Sequence, residues 1–239
     1  MDTYVRVPTD WIRDQSKPLL HAFSWKGQDK AGCIAALMLY IAMNLNVPEK
    51  KGAHVKLTYT KLSDITSLSR AKVAEGLKLL EETGLVKTEK QGRSNSYHIV
   101  NRDNWNGWGQ LPVNSLYDDG QIKPFLKFKL RTRAELDALK LYLLIIAFRS
   151  NRRNCTIISY EKIHQYTGIS ERYISAALSL LITLDMIRVD KKLRDEATEK
   201  RMNVYWLVGL NHRHGGNTPE EAFSNFGDNI SSSLAQISI

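Results

Sequence analysis

Two short runs carry the residues best equipped for chemistry, and that chemistry is recognition rather than bond breaking. The first holds Ser69, Arg70, Lys72, Glu75 and Lys78; the second holds Arg172, Tyr173, Ser175 and Ser179. A guanidinium can offer two parallel donors to guanine, while hydroxyls and ammonium groups hold phosphate oxygens or water. More cations follow each run: Lys90 and Arg93 beside Asn95, then Lys191, Lys192, Arg194, Lys200 and Arg201. Together these are the candidate contacts to double-stranded DNA. The plainer alternative for Arg70, Lys72 and Lys78 is a solvated helix face.

Motifs for other chemistry are missing from the sequence. There is no phosphate-cradling GxxxxGK[ST], no HExxH and no Cys/His ligand set. His212 and His214 have no cysteine or carboxylate beside them to complete a metal site, and read as a solvated tail. No tyrosine or serine has the surrounding bases and acids of a nucleophile. The expectation is a non-enzyme without cofactor or metal. Arg149 in "RSNRRN" suits either phosphate or the end of a helix dipole, and Trp105 and Trp108 read as small apolar anchors.

The elements that position the two runs come from a repeat. Leu57–Glu89 lies on Ile158–Asp190 at a constant shift of 101, without a gap. Tyr59/Tyr160, Lys61/Lys162, Thr66/Thr167, Ser69/Ser170, Leu77/Leu178, Leu79/Leu180 and Leu80/Leu181 are identical, and most other apolar positions match in kind. "ALMLY" at Ala36 meets "ALKLY" at Ala138, "KPLL" echoes "KPFL", and "VP" at Val7 echoes "LP" at Leu111. A duplicated module is implied.

Each copy predicts the same order. A long apolar helix (Ala31–Asn46, or Arg133–Asn151 opened by a Thr132/Glu135 capping box) is followed by a short strand in "HVKLT" or "CTIIS". Thr58 or Ser159 then caps a short helix, and Ser69 or Ser170 caps the next. That last helix buries Val73, Leu77 and Leu80, or Ile174, Leu178 and Leu181, at i, i+4, i+7. The polar runs of the first paragraph lie on its opposite side. After Gly84 a hairpin turns over Gln91–Asn95; its counterpart has a longer loop carrying the second cation cluster.

The stretch "LTYTKLSDITSLSRAKVAEGLKLLEETGLVKTEK" resembles the winged helix-turn-helix superfamily, and the tandem arrangement resembles plasmid and phage replication initiators. The resemblance implies a mainly helical α+β fold of two tandem winged helix-turn-helix domains. Their boundaries are expected at 1–104 and 105–209, joined by "NRDNWNGWGQLP", with a flexible tail over 210–239. It also implies sequence-specific duplex binding in adjacent major grooves, for replication initiation or, alternatively, transcriptional regulation. A protein-interaction scaffold is the remaining alternative. The unequal polar runs favour a non-palindromic or direct-repeat site.

Bulk properties agree with an anionic partner. The 239 residues carry 34 Lys+Arg against 25 Asp+Glu, a net charge of +9. Segments 1–104 and 105–209 are both basic, at +5 (16 against 11) and +6 (17 against 11), and the last thirty residues are at −2 (1 against 3). Cys33 and Cys155 sit among apolar residues and read as buried thiols of a reducing compartment. Apolar runs are too short to cross a bilayer and the start does not look like a signal peptide, so the expected location is a bacterial cytoplasm or nucleoid. The tail segment "SSSLAQISI" is a candidate docking element for a homodimer or another protein partner.

Overall fold

The structure is a computed structural model that describes residues 4–27, 29–48, 52–91, 94–103, 107–194 and 201–210; at 90–91, 94, 191–194 and 201–202 only the backbone is described. The fold is α+β, with seven α-helices and several small sheets among the described residues. The first half runs β1 (Tyr4–Pro8), α1 (Asp10–Arg13), a 3-10 turn (Leu19–His21), α2 (Lys30–Asn46), β2 (His54–Lys56), α3 (Tyr59–Thr66), α4 (Arg70–Glu82), β3 (Val86–Gln91) and β4 (Ser94–Ile99). The second runs β5 (Trp108–Pro112), β6 (Tyr117–Asp118), β7 (Gln121–Ile122), a 3-10 turn (Lys123–Lys127), α5 (Arg133–Phe148), β8 (Thr156–Ile158), α6 (Tyr160–Thr167), α7 (Glu171–Thr183), β9 (Ile187–Arg194) and β10 (Arg201–Leu207). No helix of the described residues is long and apolar enough to cross a membrane.

The repeat is visible atom by atom. Thr58 Oγ1 accepts from the Lys61 amide at 3.1 Å, and Ser159 Oγ accepts from the Lys162 amide at 3.2 Å. Thr66 donates to the Leu62 carbonyl and accepts from the Leu68 amide; Thr167 does the same with Ile163 and Ile169. One hydroxyl thereby closes the end of the short helix and fixes the turn after it, which accounts for the threonine in both copies. The turn passes through the left-handed region at Ser67 (φ 58°) and Gly168 (φ 70°). Sheet order is β2-β4-β3 in one half and β8-β10-β9 in the other.

Helices α2 and α5 form the centre. Every residue from Gly32 to Asn44 and from Glu135 to Ala147 is buried, so both helices are enclosed on all sides, α5 with Glu135, Asp137 and Lys140 among its buried residues. Asp29 caps α2 through the Gly32 amide at 2.7 Å, and Thr132 with Glu135 forms the expected capping box on α5. α4 packs on α2 at Gly76, where a Cβ would stand 2.7 Å from Leu39 Cδ1 and 2.9 Å from the Ala35 and Ala36 backbone. The equivalent residue facing α5 is Ala177.

Both halves share one continuous core, because their leading segments are exchanged. β1 pairs antiparallel with β5, and Arg6 faces Gln110. Val7–Pro8 corresponds to Leu111–Pro112 at a shift of 104, which makes Arg6 and Gln110 equivalent positions lying opposite each other. The halves are thus related by an approximate two-fold axis through that pair. Each leading segment reaches the short helix of the other half: His21 Nε2 lies 3.0 Å from the Gln165 carbonyl, and Gln121 donates to the Asp64 carbonyl at 3.1 Å. Asp64 and Gln165 occupy the same position of the repeat.

Several details differ from the sequence reading. α5 stops at Phe148 rather than Asn151, because Arg149 turns to extended backbone and its guanidinium holds Asn151 and Asn154. Ser170 stands at the N-cap of α7 but its hydroxyl makes no cap bond; the first turn is closed instead by the Tyr173 amide on the Ser170 carbonyl. Part of the expected joining segment, Trp108–Pro112, is strand β5. The first hairpin is tighter than Gln91–Asn95, since pairing continues to Gln91 and Ser94.

Candidate nucleic-acid interface

The outward sides of α4 and α7 are at the surface, since their apolar stripes face α2 and α5 and leave the opposite sides free. On α4, Ser69 caps the Lys72 amide at 3.3 Å. Arg70 and Lys78 are exposed, while Lys72 and Glu75 are half-buried. Two of the three cations are engaged within the helix: Lys72 bonds Glu75, and Lys78 Nζ lies 3.8 Å from Glu82. Arg70 has no ion pair among the described residues. The face of α4 is therefore close to neutral, although an exposed pair such as Lys78 with Glu82 contributes at most about 1 kcal/mol and opens readily to a competing phosphate.

α7 is arranged differently. Arg172, Ser175 and Ser179 are exposed. Tyr173 does not point freely outward: it is half-buried against the core, and two guanidiniums lie over its ring, Arg133 at 3.8 Å and Arg172 at 4.7 Å. Arg133 is held in turn by Asp137, with Nε 3.0 Å from Oδ2. Tyr173 is thus a platform that orients Arg172. Arg133 escaped the sequence reading because its contact with Tyr173 depends on the packing of α7 against α5. Ile182, 48 % exposed, adds an apolar side chain near the end of the same helix.

The hairpins flank these helices. Lys90 and Asn95 are paired residues of β3 and β4 rather than loop residues. The Asn95 amide donates to the Tyr97 hydroxyl at 3.4 Å, a pairing matched by Asn203 and Tyr205 at 3.1 Å in the other half. Burial raises the pKa of both phenols. Lys191, Lys192 and Arg194 lie on β9 and Arg201 on β10, with Arg194 opposite Arg201 in the register, so these four extend the sheet instead of sitting in a long loop. Arg93 and Lys200 lie outside the described residues, as do Trp105, His212, His214 and the whole tail from 211.

Other sequence candidates have structural occupations. Arg149 is buried, with Nε 2.9 Å from Asn154 Oδ1, and burial pulls its pKa down to about 10. Trp108 stacks on Tyr4 at 6.5 Å, with the Arg6 guanidinium 4.6 Å from its ring. Cys33 and Cys155 are free, buried thiols; burial raises both, Cys155 to about 11. No cluster of metal-ligating side chains occurs among the described residues. No family model and no curated protein matches the chain.

Proposed function

We propose that this chain is a sequence-specific double-stranded-DNA-binding protein built from two winged helix-turn-helix units, with α4 and α7 as the helices that enter the major groove. The carrying observation is that both outward faces are solvent-accessible at equivalent places in a two-fold arrangement. The order of helix, strand, two helices and hairpin, present twice, supports the winged-helix assignment. A helix offers base-reading side chains from its first turns, where Arg70 and Arg172 lie. The role is binding rather than catalysis, in replication initiation of a plasmid, phage or mobile element.

A two-fold protein meets its half-sites in inverted orientation. Because Arg70, Lys72 and Glu75 are replaced at the same repeat positions by Glu171, Tyr173 and Ala176, the two half-sites have different sequences. The site is then inverted in geometry but unequal in sequence, and a direct repeat is disfavoured. Substituting Arg70, Lys72 and Arg172 together by Ala should weaken binding to a selected duplex at least tenfold, with affinity of the native chain falling steeply in salt. Native affinity that is flat between 50 and 200 mM salt, a range of about fourfold, supports a protein-interaction scaffold instead.

A further inference from the structure

We propose that the segment from Lys127 to Arg131, ahead of α5, is a preorganised phosphate clamp that flanks α7 and makes the second half the dominant electrostatic contact to the duplex. The inference rests on the DNA-binding role proposed above and extends it to residues outside the helices and hairpins.

The segment alternates. Phe128 and Leu130 are half-buried against the core, with Phe128 edge-on to Phe125 at 5.7 Å, while Lys127, Lys129 and Arg131 are exposed. Its backbone is held from beneath by one buried carboxylate. Glu135 accepts from the amide of Lys129, from that of Arg131 at 2.8 Å and from that of Thr132 at 2.8 Å. This latch also fixes Leu130 in the left-handed region at φ 58°. A loop of this kind loses little backbone freedom when its side chains engage a ligand.

All three outward side chains are cations, and none has an ion pair among the described residues. Such a set repels itself in the free protein and gains from an anion laid across it. The segment also borders the candidate groove helix: Arg133, two residues beyond Arg131, packs over Tyr173, which in turn carries Arg172. The corresponding stretch of the first half, 22–29, has a single cation, Lys26, and its Asp29 carboxylate caps α2. Combined with the internal ion pairs of α4, this puts the stronger phosphate contact in the second half.

The test uses the full chain and a 40-base-pair duplex of mixed sequence, titrated by fluorescence anisotropy from about 50 to 300 mM salt. Each lost phosphate contact lowers the steepness of the log affinity against log salt plot by about 0.9. The variant K127A/K129A/R131A should lose about 2 to 3 in that slope and roughly a hundredfold in affinity at 0.1 M salt. The control K17A/K56A/K123A removes three exposed cations elsewhere and should lose less than about 1. Unfolding curves matching the native chain show that the variants are folded. A loop variant that keeps the native slope, or a control that loses as much, overturns the clamp while leaving duplex binding intact. A native chain with no salt-dependent duplex binding overturns the underlying function as well.

Discussion

Glu135→Gln is a near-isosteric change with a calculable cost. The native carboxylate is 5 % exposed and receives three backbone amides, that of Lys129 on Oε1 and those of Arg131 and Thr132 on Oε2. A carboxamide has one oxygen, so at least one amide is left facing an N–H. Hydrogen bonds to a charged acceptor contribute about 1.5–3 kcal/mol against about 0.5–1.5 for a neutral one, and an orphaned buried donor costs about 1–3 kcal/mol. Two weakened bonds and one lost bond amount to about 3–5 kcal/mol, a large share of the 5–15 kcal/mol typical of a folded chain. Burial alone would raise the Glu135 pKa, but the amides of Lys129, Thr132 and Arg131 with the Thr132 hydroxyl bring it below its ordinary value. A lowered carboxylate stabilises the fold fully above its unfolded pKa of about 4.3, and that contribution is lost as the pH falls through the folded value. Urea unfolding followed by circular dichroism should therefore show the deficit of E135Q in full at pH 7 and shrinking in acid. A deficit under about 0.5 kcal/mol at pH 7, the size of an ordinary surface substitution, refutes the latch.

Three other outcomes follow from particular contacts. Glu75→Gln with Glu82→Gln frees Lys72 and Lys78, so duplex affinity should rise several-fold with a steeper salt dependence; unchanged or weaker binding contradicts the neutral face of α4. Lys140 is buried, donates to the Phe23 carbonyl at 3.0 Å, and is pulled by burial to about 8. Between pH 8 and about 10.5 the unfolded chain holds the proton that the folded one releases, so native stability should gain up to about 1.4 kcal/mol per pH unit relative to Lys140→Met; parallel curves refute it. Gly76→Ala should lower stability by about 1–3 kcal/mol in urea unfolding despite the better helix propensity of alanine, because the added methyl meets the α2 backbone; a gain in stability contradicts that close approach.

Local and repeated features were the legible ones. The shift of 101 gave α3 with α6 and α4 with α7, since capping residues and apolar stripes are short-range signals that a second copy reinforces. Long-range pairing was not legible. Trp108–Pro112 fell inside the expected joining segment, yet Gly109 is needed where β5 lies against Ile146 of α5, whose Cγ2 would be 2.6 Å from an added Cβ. The exchange of β1 and β5, and with it the two-fold relation, depends on residues a hundred positions apart. At the interface, the spacing of Lys72 with Glu75 and Lys78 with Glu82 already held the ion pairs, whereas the stacking of Tyr173 on Arg133 required the packing of α7 on α5. The run "KFKLRTR" was plain in the sequence, but only the Glu135 carboxylate beneath it distinguishes a rigid display of cations from a solvated loop.

The most direct measurement is selection of bound duplexes from a random-sequence pool with the full chain, followed by alignment of the recovered sites. If α4 and α7 enter the groove as proposed, their two-fold relation and different side chains predict two distinct half-sites in opposite orientations, about one helical turn apart at 34–36 Å. Recovered sites arranged head to tail contradict the two-fold geometry of binding, and a pool that shows no enrichment contradicts sequence-specific recognition itself.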